Sequence, residues 1–377
     1  MRTMGVEEEL LLVDAGTGDI RSSADTVLRS DVNDDLTGEL QQEQVETGSR
    51  TTTDLHDLYA DICKLRREAT QAAARTGTAI AALGTSPLPV SPLTTPHARY
   101  LKMVERFGLT ASEQLACGCH VHVHVSVADD DEAVAVLDRI RGWLPILLAL
   151  SANSPYWQGE DSGYASFRSQ AWLRWPSAGP TPLFGTPENY HSLVEQLIGS
   201  GTVLDDGMIY FDARLSANYP TVEVRTADVC RRPQDAVLMA ALSRGLVETA
   251  SREWTAGQPP HEVPTELLQV MSWRAARSGI TGELVHPRTG RPQGAARVID
   301  ALMDYLRPVL SDLGEHDLVG ELLADLLSRG NGAMAQRASF ARTHDLRAVV
   351  LEAVADGSVT DRAPGSVLEA CQSPREA

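Results

Sequence analysis

The sequence predicts an α+β fold, with strands and helices in mixed order rather than a regular βαβ alternation. Three observations carry this. Segments near residues 4–12, 119–127 and 220–226 alternate with the period of a strand, and each gathers unusual polar groups on one face. From about Arg232 onward, apolar residues recur at helical spacing. Finally, 377 residues with 43% hydrophobic and 22% charged content can bury a sizeable core, so disorder is not the default.

In the first segment, Glu7 and Glu9 share one face, and Val6, Glu8, Leu10 and Leu12 share the other. Two carboxylates on one face of an interior strand repel each other and lose hydration, which is tolerable mainly with a cation between them. The alternative is an exposed edge strand with solvated glutamates. In the second segment, His120, His122, His124 and Ser126 face one way and four valines the other. Three imidazoles opposite an all-valine face point to a polar site, since imidazole ligates divalent metals and donates to phosphate. The third segment places Thr221, Glu223 and Arg225 on one face and Val222 and Val224 on the other. Alone, that is an ion pair worth well under about 1 kcal/mol; beside the other two it reads as a metal carboxylate and a phosphate clamp. Between the first two segments, Glu39, Glu43 and Glu46 are neighbours if helical, whereas Gln44 and Glu46 share a face if extended.

The remaining elements follow in order. Thr53-Asp54 opens a helix with Leu55, Leu58, Tyr59, Ile62, Leu65 and Ala69 at the 3.6-residue period. Thr78 to Leu83 is a short strand, ended by Gly84 and a proline-rich loop. Asp129 to Asp131 cap one long helix from about Glu132 to Ala152. Asn153 to Gly185 reads as an irregular loop rich in Arg and Trp, of the kind that serves as a lid or binding loop. Phe211 to Ser216 is a strand paired with the Glu223 strand across the Asn218-Tyr219-Pro220 turn. Two helices with apolar stripes run from Gln293, kinked at Pro308, and from Leu318; the tail after about 360 is polar and expected to be flexible.

Composition narrows the function. The net charge of −18 argues against nucleic acid and anionic membrane surfaces as partners, though bound cations would still admit a nucleotide. Five cysteines, with no CxxC pair, indicate a reduced, cytoplasmic chain; Cys117-Gly118-Cys119 is too close for an ordinary disulfide. Residues 1–12 carry three glutamates and no apolar run, so no signal peptide is expected, and no segment is long enough to span a membrane.

Gly5-Val6-Glu7-Glu8-Glu9, Gln44-Val45-Glu46, the His-Val-His strand, Ser151-Ala152-Asn153-Ser154-Pro155, Gly163-Tyr164-Ala165-Ser166, Arg174-Trp175-Pro176, Thr221-Val222-Glu223-Val224-Arg225 and Gly330-Asn331-Gly332-Ala333 together resemble the bacterial carboxylate–amine ligases. These are the second type of glutamate–cysteine ligase, distant relatives of glutamine synthetase. The resemblance implies one catalytic domain over residues 1–360, helical from about 232. It also implies a curved antiparallel sheet whose concave face binds ATP and magnesium, with manganese as the alternative ion, and helices behind it. That accounts for the absence of a GxxxxGK[ST] loop or GxGxxG fingerprint. It implies small amino-acid or amine substrates joined through an acyl phosphate, and leaves a homodimer open. Carried over by position, Glu7, Glu9, Glu46 and Glu223 hold metals, with Glu39 and His122 as further ligands. Arg225 steadies the transferring phosphoryl group, and Arg168 holds phosphate or a substrate carboxylate. The family has two histidines followed by a small residue where this chain has three, so His120, His122 and His124 stay open, His122 being common to both alignments. Two other readings compete: a metal-dependent hydrolase built on the same Glu/His cluster, and a non-catalytic nucleotide-binding relative.

Overall fold

The computed structural model describes residues 1–125, 130–357 and Leu368; Ser126, Asp129, Cys371 and the tail at 361–377, Leu368 apart, lie outside the described residues. Its centre is a seven-stranded antiparallel sheet. The strands are β1 (Met4–Asp14), β2 (Leu36–Gly38), β3 (Gln44–Gly48), β4 (Thr78–Ala81), β5 (Gly118–His124), β8 (Ala213–Leu215) and β9 (Thr221–Asp228). A small hairpin, β6 (Tyr156–Trp157) and β7 (Glu160–Asp161), stands apart from it. The sheet order is β2–β3–β1–β5–β9–β8, with β4 paired to the far end of β1. β1 is therefore an interior strand, hydrogen-bonded on both sides, and the solvated-edge alternative for Glu7 and Glu9 falls away.

The sheet's back face is apolar because β1 and β5 put Val6, Leu10, Leu12, Val121 and Val123 there, all buried. Two helices pack on it, Leu55–Ala74 and Pro233–Thr255. Asp54 caps the first by accepting from the backbone N–H groups of His56 and Asp57. Glu8, buried on this face of β1, receives Arg66 of that helix at 2.6 and 2.8 Å. Arg66 also donates to the carbonyls of Cys230 and Arg231. A fully buried ion pair thus ties β1, the helix and the exit of β9 together. Removing one partner strands a buried charge, so Arg66→Ala is expected to cost about 3–5 kcal/mol in urea unfolding. A loss below about 1 kcal/mol would show the pair to be dispensable.

Two local expectations need correction. The helix expected over 132–152 is two helices, Asp131–Ile140 and Leu144–Ser151, parted at Arg141–Trp143. Pro145 lies in the first turn of the second helix, where a missing N–H forfeits no helical bond. The segment 153–185 is not wholly irregular: it holds the β6–β7 hairpin and a short helix, Phe167–Trp172, capped by Ser166. After β9 come the helices Pro233–Thr255, Thr265–Ser278, Ala295–Asp312, His316–Arg329, Gly332–Thr343 and Leu346–Gly357, with one small hairpin between the second and third. Pro308 sits inside the third without ending it.

Candidate active site

The polar face of the sheet assembles by register. Glu7 on β1 stands opposite His120 on β5, and Glu9 opposite Glu46 on β3. Farther across, His122 stands opposite Glu223 on β9, which in turn faces Arg214 on β8. Antiparallel partners point to the same side of a sheet, so five strands deliver one cluster. A register shift between Cys119 and Val121 breaks the even pairing with β9 at His120.

Two groups of possible metal ligands result: Glu7, His120 and Glu223, and beside them Glu9, Glu39 and Glu46. Within each group, one ligand atom per residue lies within 4.8 Å of the others. Gln44 to Glu46 is thus extended, on β3, residues 39–43 turn between β2 and β3, and Glu39 joins the site from the end of β2. His122 Nε2 lies 3.3 Å from Glu7 Oε1, and its Nδ1 is 3.1 Å from Thr221 Oγ1. The Gly118 N–H donates to Glu9 at 2.6 Å. Glu223 is gripped by Arg214 at 2.7 Å and by Arg225. The cleft above these groups has a volume of 600 Å³ and is walled by Tyr100, Trp172, Trp175 and Tyr210, with Arg99 and Tyr219 also lining it.

The electrostatics divide the site in two. Burial alone raises a carboxyl's pKa, but at Glu223 the charges of Arg225 and Arg214 outweigh it and hold the value at about 2. Glu7 is likewise held well below the ordinary range, burial being overcome by the neighbouring imidazoles of His120 and His122. In the second group burial prevails, at Glu9 even against the charges of Arg168 and Arg225 and the Gly118 N–H. Burial raises Glu9, and burial plus neighbouring carboxylates raises Glu39 and, most strongly, Glu46. Burial and Arg225 push His120 down to about 4, which keeps it neutral, and its buried Nε2 has no hydrogen-bond partner among the described residues. A neutral imidazole and three crowded, buried carboxyls are a donor set that divalent cations fit.

That fit has a measurable consequence. Carboxyls raised on folding stabilise the protein below their ordinary value of 4.5, and that contribution is lost as pH rises through the folded values. Glu7 and Glu223, lowered on folding, act oppositely and matter only on acidification. The melting temperature in magnesium minus that in EDTA should therefore widen from about pH 5 to about pH 8. A gap that is absent, or flat with pH, would argue against cations at these carboxyls.

Of the three histidines, His120 and His122 line the cleft and His124 does not. His120→Ala and His122→Ala should each impair turnover strongly, and His124→Ala much less; three equal, small losses would mean that the strand face is merely solvated. Arg168, in contrast, does not line the cleft. It lies buried outside the cleft lining, 3.9 Å from Asp228 and over the Trp172 ring, while Asp228 is held by Asn153, Ser154 and Ser166. Gly118 makes this packing possible, since a Cβ there would collide with Arg168 and with His120 Nε2. The space between Cys117 and Cys119 is thus needed for a cation and an imidazole.

Arg214 and Arg99 were not anticipated. Counting back across the 218–220 turn places Arg214 opposite Glu223, so its signal lay in the hairpin register. Arg99 carries no such pattern; it is held by Asp205 through two hydrogen bonds of 2.7 and 2.8 Å at the cleft wall.

Comparison with known proteins agrees with this geometry. The profile of glutamate–cysteine ligase family 2 matches residues 3–361. The chain belongs to this family. A protein of Streptomyces avermitilis, provisionally named glutamate–cysteine ligase 2-1, is 52% identical over 359 residues, covering 94% of this chain and 99% of its own. A similarly named protein of Streptomyces coelicolor is 51% identical, covering 94% and 98%. The fold is shared with a Francisella tularensis glutamate–cysteine ligase solved with AMP, at TM-score 0.64 and 14% identity, covering 95% of this chain and 88% of that one. It is also shared with a bifunctional glutathione synthetase of Pasteurella multocida, at TM-score 0.66 and 16% identity, covering 95% and 52%. The glutamate–cysteine ligase family 2 chain is an ATP-dependent carboxylate–amine ligase, and the hydrolase alternative is set aside.

Proposed function

We propose that this ligase joins the carboxylate of one amino acid to the amine of another through an acyl phosphate, with glutamate and cysteine as the first pair to test. The observation that carries the proposal is the two abutting ligand groups on one sheet face, with Arg225 beside them. Glu7, His120 and Glu223 would hold one magnesium or manganese ion, and Glu9, Glu39 and Glu46 another. Such ions supply charge neutralisation for the phosphates of ATP.

The chain's own residues do the positioning. Arg225, stacked near Trp172 and anchored on Glu223, presents its guanidinium to the transferring phosphoryl group. A substrate carboxylate oxygen attacks the γ-phosphorus, the bond to ADP breaks, and an acyl phosphate remains. The amine nitrogen then bonds to the acyl carbon, and phosphate leaves. The aromatic walls keep water from taking the amine's place. Free thiols at Cys63, Cys117, Cys119 and Cys230 fit a reducing, cytosolic setting, and no helix among the described residues is long and apolar enough to cross a membrane. The test is an ADP-release screen of purified protein with magnesium, ATP and a matrix of amino acids and amines. ADP formed only with a matched pair supports the reading; ADP formed with every pair alike, or with none, defeats it.

A further inference from the structure

The hairpin that joins β8 to β9 carries Tyr219 in its loop, at the rim of the cleft. A residue before a proline is confined to extended backbone, and Pro220 imposes this on Tyr219. The loop is also tied down. The Thr221 N–H donates to the Tyr219 carbonyl at 2.7 Å, and the Val125 N–H donates to the Pro220 carbonyl at 3.0 Å. Behind it, Thr221 Oγ1 lies 3.1 Å from His122 Nδ1. Tyr219 thus combines an anchored backbone with a side chain that is 63% exposed.

That exposure is unlike the rest of the aromatic wall. Tyr210 packs against Trp172 and Trp175, with ring centroids 4.9 and 5.4 Å apart. The one ring neighbour of Tyr219 among the described residues is His122, perpendicular to it at 6.4 Å. A single exposed apolar side chain on an outer loop is ordinary and calls for no account. This one stands over a 600 Å³ polar cleft, and among the described residues no other large apolar side chain so exposed lines that cleft. The two edges of the sheet differ accordingly. Toward β2 the cleft is bounded by buried Leu40 and Gln44, whereas at the β8–β9 edge it is open and lined by the uncharged Ser216, Ala217, Asn218 and Tyr219. His122 stands between, its Nε2 3.3 Å from Glu7 Oε1 on one side and its ring against Tyr219 on the other.

We infer that Tyr219 is the platform on which the purine ring of ATP stacks, so that the nucleotide lies with its base at the β8–β9 hairpin and its triphosphate running past His122 toward the acidic groups. The assignment rests on the placement of the phosphates proposed above. An open aromatic face offers a nucleobase stacking energy without any hydrogen-bond readout. The base is also the one large, flat and uncharged part of the ligand set, and it matches the uncharged end of the cleft. The triphosphate belongs at the other end, where the two ligand groups and Arg225 lie. His122 is the intermediate step, since an imidazole can donate to a phosphate oxygen. A small amino acid would gain little from a ring at an open rim. Tyr219 touches the base and none of the reacting atoms, so its part is binding and direction rather than chemistry.

The test uses the full-length chain with magnesium, after thermal melts establish that each variant folds. Calorimetry would compare the non-hydrolysable β,γ-imido analogue of ATP with inorganic tripolyphosphate, which keeps the phosphates and lacks the base. Tyr219→Ala should weaken binding of the analogue by about ten- to a hundredfold, the effect of removing an aromatic platform from a base, and leave tripolyphosphate binding unchanged. Tyr219→Phe should keep the analogue's affinity, because the base meets the ring and not the hydroxyl. In turnover, the loss should fall on the KM for ATP rather than on that of either amino acid. Unchanged analogue binding by folded Tyr219→Ala overturns the assignment, as does a wild type that binds no analogue. Equal weakening of both ligands also overturns it, since the hairpin would then be merely structural. A protein that forms no ADP with any pair defeats the ligase reading instead, and calorimetry then still reads the platform by itself.

Discussion

Glu223→Gln should abolish turnover, lowering kcat by at least about 10³-fold, while far-UV circular dichroism stays native. The substitution keeps the side chain's shape and one carbonyl oxygen, so packing between β5 and β9 survives. What changes is charge. Glu223 is 2% exposed and is the shared counter-ion of Arg214 and Arg225, opposite His122 in register. A neutral amide leaves two guanidinium groups facing each other across one oxygen, so Arg225 loses the anchor that aims it. It also removes an anionic donor from the group formed with Glu7 and His120. Both losses strike the transition state, where charge on the phosphoryl group must be spread and met. ADP release and circular dichroism measured on the same preparation decide the matter. A folded Glu223→Gln protein with wild-type activity would remove this residue from the site.

Most of the site was legible in the sequence because it lies on strands. Alternation fixes which side chains share a face, and Glu7, Glu9, Glu46 and Glu223 needed nothing more than correct strand assignments to be grouped. Glu8 shows the same logic in reverse: its position on the other face assigns it to the back of the sheet, where Arg66 meets it. What alternation cannot supply is depth along the strand. His120, His122 and His124 are equivalent by period, and only the position of the cleft separates the first two from the third. Nor can it place a group that arrives from a loop. Arg168 was legible as a functional-looking arginine in an aromatic segment, but its burial against Asp228 depends on a short helix and on the missing side chain of Gly118. Arg99 comes from the helix Ala98–Phe107, distant in sequence from every motif, and its place at the cleft is set by packing alone. The split of the 131–151 region into two helices was likewise hidden, since its apolar run carries no break stronger than a proline that a first helical turn accepts.

Arg225→Lys should be severely impaired, by about 10²-fold or more in kcat, with ADP and phosphate still the products of whatever activity remains. The ammonium keeps the charge, so Glu223 stays neutralised and the fold is not threatened. The geometry is what fails. Arg225 binds Glu223 through Nη1, lies 5.9 Å from the Trp172 ring, and lines the cleft. A planar fork can hold the carboxylate with one edge and present another to a phosphoryl oxygen; a point charge cannot serve both with fixed direction. Lysine is also shorter at its charged end and gives up the stacking that keeps the group in plane. The product analysis tests the chemistry independently of the rate. A guanidinium two residues from Glu223 can act on the same phosphoryl group that the acidic cluster serves, which favours attack at the γ-phosphorus and release of ADP in step with amide. Attack at the α-phosphorus would leave AMP and pyrophosphate. Finding AMP as the stoichiometric product would sink the acyl-phosphate mechanism even if an amide were made, and a fully active Arg225→Lys enzyme would show that charge alone suffices at this position.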